Sequence, residues 1–115
     1  MAYTFKRFIP REKKMPNGMN QSEMRYAELL ECMKRAGDIR DYRFQAMTFK
    51  LADDTRYTPD FVVTFNDRME LHEVKGFLRE DAAVKFKVAA HQFQEFGWKM
   101  VRWEKKTGWQ TIAEY

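Results

Sequence analysis

Residues 58–75, TPDFVVTFNDRMELHEVK, constrain the fold more tightly than any other stretch of the chain. Residues 58–65 are rich in β-branched and aromatic side chains, residues 69–75 alternate apolar with polar, and Asn66-Asp67-Arg68 between them has turn chemistry. The pair therefore predicts an antiparallel hairpin. Side chains alternate faces along a strand, so Asp60 shares a face with Val62 and Thr64, and Glu73 shares one with Leu71 and Lys75. A two-residue turn at Asn66-Asp67 or at Asp67-Arg68 sets Asp60 opposite Glu73 or opposite Lys75. Either register gathers Asp60, Glu73 and Lys75 on one face, whereas a three-residue turn reverses the parity and brings His72 and Val74 beside Asp60.

Two adjacent carboxylates repel unless a positive charge stands between them. A hard divalent cation such as Mg²⁺, with Mn²⁺ as a substitute, suits oxygen donors and is commonly held by one or two carboxylates plus a substrate phosphate. Asp60 and Glu73 are the candidate metal ligands, and the main-chain carbonyl of Val74 is a further one. Lys75 lies two residues beyond Glu73, where an ammonium can orient water or stabilise charge building on a phosphate. The plainer alternative is a surface cross-strand ion pair between Asp60 and Lys75, with Glu73 solvated.

Pro59-Asp60, twelve intervening residues, then Glu73-Val74-Lys75 resembles the PD-(D/E)XK nuclease superfamily, the restriction-endonuclease-like fold. The stretches NQSEMRYAELL, LADDTRYTPDFVV and ELHEVKGFLREDAAVKFKVAAHQF are similar, over about residues 20–112, to small phage and prophage endonucleases of that superfamily, kin to phage branched-DNA resolvases. The resemblance implies an α/β fold with an αβββαβ core, a mixed central sheet flanked by helices. It also implies a Mg²⁺-dependent DNA endonuclease that leaves a 5′ phosphate, acts as a homodimer in a bacterial cytoplasm, and takes branched or Holliday-junction DNA as substrate. Asp60, Glu73 and Lys75 occupy its motif positions. It aligns Glu23 with an extra carboxylate from the first helix, and it favours Lys87 for DNA contact.

The remaining elements are read from periodicity and end signals. Tyr26, Leu29, Leu30 and Met33 mark the buried stripe of a helix over residues 21–36, stopped by Gly37. Glu23 borders that stripe, and Asn20 three residues earlier gives it a second role as the return partner of a capping box. Residues 40–51 read as a strand, 52–56 as a polar turn, 81–96 as a second helix ended by Gly97, and 98–103 and 109–113 as strands around Lys106-Thr107-Gly108. Phe44, Phe49, Phe61, Phe65, Phe86, Phe93, Trp98 and Trp103 are expected in the core.

At 115 residues and 44% hydrophobic content the chain suits one compact domain over residues 20–115, preceded by an arm over residues 1–19. The whole net charge of +4 falls within residues 1–20, where Lys13 and Lys14 are candidates for non-specific phosphate contact. Lys85, Lys87 and Arg79, downstream of the Glu-Val-Lys strand, are the other DNA-contact candidates, although helix lysines are usually just solvated. No apolar run approaches a membrane span, and no signal peptide or organic-cofactor loop is recognisable. Cys32, the only cysteine, excludes an internal disulfide and reads as a helix packing residue. His72 and His91 form no credible zinc pair. A non-catalytic nucleic-acid-binding module and a phage protein that binds a host protein are the alternative readings.

Overall fold

The computed structural model describes residues 18–76 and 80–115. Helix α1 spans Gln21–Ala36, as its end signals predict. The Asn20 side chain accepts the Glu23 amide at 2.8 Å, and the Glu23 carboxylate accepts the Asn20 amide at 3.0 Å. Gly37, at φ 86°, supplies the left-handed turn that ends the helix, a conformation that costs a residue with a Cβ. Tyr26 and Leu30 form the buried stripe.

Between the helices run five strands where three were expected: β1 Asp41–Phe44, β2 Phe49–Ala52, β3 Thr55–Tyr57, β4 Phe61–Thr64 and β5 Met69–Val74. The single strand expected over residues 40–51 breaks at Gln45, which adopts φ 51° and donates its amide to the Asp60 carbonyl at 2.8 Å. The supposed polar turn over residues 52–56 is the tip and second strand of a separate β2–β3 hairpin, with Asp54 left-handed at φ 57°. Helix α2 spans Glu80–Gln92, shorter than expected, and is followed by β6 Gly97–Glu104 and β7 Gly108–Glu114. Gly97 is needed at the start of β6 rather than at the helix end. A Cβ there would lie 3.0 Å from Glu70 Cγ.

The chain is therefore mixed α/β, with a mixed five-stranded sheet in the order β1-β4-β5-β6-β7 and two helices. Only β5 and β6 run parallel, and α2 is the crossover between them. Strand parity splits the core in two. Tyr26 and Leu30 of α1 pack with Phe61, Val63, Val74 and Val101 on one face of the sheet. Phe86, Ala89 and Ala90 of α2, together with Phe49 and Tyr57 of the small hairpin, pack with Val62, Leu71, Trp98 and Met100 on the other. Two expectations of burial fail: Trp103 is 38% exposed, under the Arg25 guanidinium, and Cys32 is exposed on the outer side of α1.

Candidate active site

Hairpin β4–β5 turns through two residues. Phe61 pairs with His72, Val62 with Leu71 and Thr64 with Met69, and the Phe65 amide bonds the Arg68 carbonyl at 2.8 Å around Asn66-Asp67. Continuing that register by one residue sets Asp60 opposite Glu73, the first of the two arrangements expected from sequence. Glu73 Oε1 accepts the Asp60 amide at 3.3 Å, and Asp60 Oδ2 accepts the Val74 amide at 2.8 Å. The two acids thus clamp the open end of the hairpin. The first turn of α1 brings a third acid near, since the charge of Glu23 acts on the Asp60 carboxyl while Glu23 also completes its capping box. Of the two roles foreseen for Glu23, the capping box is formed.

These carboxyls are held in poorly solvated surroundings. Asp60 is buried and Glu73 half-buried. Burial pushes the Asp60 carboxyl well above the usual carboxylate range, and the charges of Glu73 and Glu23 push it further. Burial likewise raises Glu73, against the lowering effect of hydrogen bonds from Tyr57 and the Asp60 amide. Asp60 and Glu73 consequently retain protons that isolated carboxyls would have lost. Among the described residues no group of three or more His, Cys, Asp or Glu side chains is placed to hold a metal ion.

Tyr57 is the member that sequence reasoning missed. It ends β3, buries its ring in the α2-side core, and donates its hydroxyl to Glu73 Oε1 at 2.5 Å. Its position two residues before Pro59 was visible, but the hairpin that turns it inward was not. Tyr57→Phe keeps the ring and removes the donor, so a loss of about 1 kcal/mol is expected in urea unfolding. Tyr57→Ala also opens a cavity and should cost about 3–5 kcal/mol.

No protein-family model, curated protein or solved structure matches the chain.

The other candidates are less closely drawn in. The Lys75 amide extends the β5–β6 ladder by bonding the Val101 carbonyl at 2.8 Å, which keeps Lys75 on the parity of Glu73. Lys75 is half-buried and forms no ion pair among the described residues, so the cross-strand Asp60–Lys75 bridge is not formed. Val74 contributes its amide to Asp60, and its side chain belongs to the α1-side core. On α2, Lys85 is half-buried and Lys87 exposed, and neither joins the acids through a hydrogen bond or ion pair. Lys13, Lys14 and Arg79 lie outside the described residues.

His72, on the opposite parity from Glu73, sits in a different network. The Tyr26 hydroxyl lies 2.6 Å from His72 Nδ1, His72 Nε2 lies 2.8 Å from Glu70 Oε1, and Arg68 Nε donates to Glu70 Oε2 at 2.7 Å. A carboxylate only accepts, so Nε2 carries the proton. The neutral ring then accepts from Tyr26 through Nδ1. Burial keeps the imidazole below its ordinary pKa, in line with that tautomer. The His72 hydrogen bond, with help from Arg68, draws Glu70 down to about 2.

Proposed function

We propose that the chain is a metal-dependent DNA endonuclease with a restriction-endonuclease-like core. The observation that carries this reading is the side-by-side placement of Asp60 and Glu73 at the open end of the β4–β5 hairpin, with Glu23 of α1 near enough for its charge to act on Asp60. The donor chemistry suits a hard divalent cation: the set is all oxygen, and burial together with neighbouring carboxylate charge raises Asp60 and Glu73. Asp60 and Glu73, with Glu23 and the Val74 carbonyl beside them, would hold Mg²⁺ or Mn²⁺. The ion would supply charge neutralisation at the scissile phosphate and a more acidic water.

The protein's own part is positioning. Tyr57 and the Asp60 amide fix the Glu73 carboxylate from one side, and the Val74 amide fixes Asp60. Lys75, on the Glu73 face and without an ion pair among the described residues, is the group to orient a water for in-line attack on phosphorus and to face the charge developing there. The 3′ oxygen leaves and a 5′ phosphate remains. Branched or Holliday-junction DNA is the preferred substrate through kinship of sequence pattern, and such enzymes pair their sites by dimerising, so a homodimer is expected. No described helix is long and apolar enough to cross a membrane. The basic arm over residues 1–19 would add salt-sensitive backbone contacts.

The test is incubation of the purified chain with linear, nicked, flapped and four-way DNA in Mg²⁺, Mn²⁺ or chelator. Metal-dependent strand scission supports the proposal. Binding without scission in any metal would instead support a non-catalytic nucleic-acid-binding module. Absence of both binding and cutting would point to a protein partner.

A further inference from the structure

The α2-side face of the sheet is only partly covered. Helix α2 and the β2–β3 hairpin lie over Val62, Leu71, Trp98 and Met100, but no β1 side chain joins that core. On the β1 side the face opens into a cleft of about 530 Å³ whose floor includes Val62 and Thr64. Asp60 precedes these residues on the same strand parity, so the cleft leads along β4 from the acid cluster. Its rim is cationic, with Lys34, Arg40 and Arg43 set against the single carboxylate of Asp41.

The pairing on that rim leaves positive charge over. Asp41 bonds Lys34 at 3.2 Å and lies 3.7 Å from Arg43. The Arg40 guanidinium has no ion pair among the described residues, and the Arg43 side chain is 74% exposed. Arg43 stands beside Val62 in the β1–β4 ladder, and the Arg40 amide bonds the Thr64 carbonyl at 2.7 Å. At about 3.3 Å per residue, these two anchor points lie roughly 7 Å and 13 Å along β4 from Asp60. Nucleotides of a B-form strand advance about 3.4 Å each along the helix axis. The backbone anchors of the two arginines are therefore spaced on the scale of neighbouring phosphates along a strand.

We infer that this cleft is the track for the DNA strand flanking the scissile phosphate, with Arg40 and Arg43 contacting its backbone and Asp41 tempering the charge. The inference rests on the nuclease reading, deepens it by assigning a substrate surface, and assigns no base specificity. Backbone contacts of this kind bind through counterion release, so they are read in salt dependence as well as in affinity.

The experiment measures anisotropy of a fluorescein-labelled 20-base-pair DNA duplex, in chelator, over a salt series, using the full chain. Arg40→Ala/Arg43→Ala is expected to weaken binding about tenfold at low salt and to flatten the slope of log K against log salt by about two. Asp41→Asn, which removes an exposed carboxylate without shortening the side chain, should tighten binding and steepen the slope. Arg102→Ala, which breaks an exposed pair with Glu104 away from the cleft, should leave both unchanged. If the double variant binds with parental affinity and slope while the parent cuts DNA, the cleft assignment is overturned and the nuclease reading survives. If the parent neither binds nor cuts any DNA, both fall together.

Discussion

Asp60→Asn is expected to make the protein more stable and, in the same step, unable to cut DNA. The amide is nearly isosteric with the carboxyl. Its oxygen can still accept the Val74 amide and its nitrogen can donate to Glu73, so a repulsion is replaced by a hydrogen bond. The sign follows from the direction of the pKa shift. A carboxyl whose folded pKa lies above its unfolded one adds stability fully below the unfolded pKa, and loses it as pH rises through the folded pKa. Without a cation the parent should therefore weaken from mildly acid pH upward through neutrality, and Asp60→Asn should remove much of that slope.

The gain near pH 8 should be on the order of 1–2 kcal/mol, or several degrees in Tm. Glu73→Gln should act in the same direction, because Oε1 remains to accept from Tyr57 and the Asp60 amide. Cleavage in either variant should fall by at least about 10²–10³, the usual scale for removing one electrostatic stabiliser from a reacting centre. Mg²⁺ should raise the parent's Tm more at pH 8 than at pH 5, and should do little for Asp60→Asn. Thermal melts across pH, with and without Mg²⁺, together with the cleavage assay, check every part. A parent whose Tm ignores both pH and metal would contradict the electrostatic account of the cluster.

The site was legible in the sequence where local chemistry decides structure. Asn20, Glu23 and Gly37 fix both ends of α1 within their own neighbourhoods, and Asn66-Asp67 fixes the parity of the hairpin. Together these carry Glu23, Asp60 and Glu73 to one place. What stayed hidden depends on distant contacts. Nothing between residues 40 and 51 announces a break, as there is no glycine or proline there; Gln45 is left-handed because its amide is claimed by the Asp60 carbonyl. Without that break the β2–β3 hairpin is invisible, and with it Tyr57. Gly97 looked like a helix terminator, but its lack of a side chain serves close approach to Glu70. Lys75 reaches the expected face, yet its lack of an ion partner among the described residues could not be foreseen from parity alone.

A large loss of stability is also expected at His72, which the sequence offered only as a histidine without a credible zinc partner. His72→Ala removes the bridge between Tyr26 and Glu70, leaving a tyrosine hydroxyl beside a cavity, both inside a core where no described buried side-chain nitrogen or oxygen lacks a partner. An unsatisfied buried donor costs about 1–3 kcal/mol and the cavity adds a comparable amount, so a total of about 3–5 kcal/mol is expected. Tyr26→Phe should cost less, about 1–2 kcal/mol, because only the Nδ1 acceptor is stranded. Tyr26→Phe/His72→Ala should cost less than the sum of the single losses, since the two polar ends of one hydrogen bond disappear together. Urea unfolding of the four proteins measures that coupling, and simple additivity would show that the hydroxyl and the ring do not depend on each other. Acid gives an independent handle. His72 is held below its ordinary pKa and Glu70 at about 2, so both stabilise the fold above their unfolded values. Their contribution should fade as pH falls, first through histidine's range and then between about 4.5 and about 2 as Glu70 protonates. In His72→Ala the upper part of that acid-induced loss should vanish, while the rise in stability from Asp60→Asn at pH 8 should persist, because the two networks lie on opposite faces of β5.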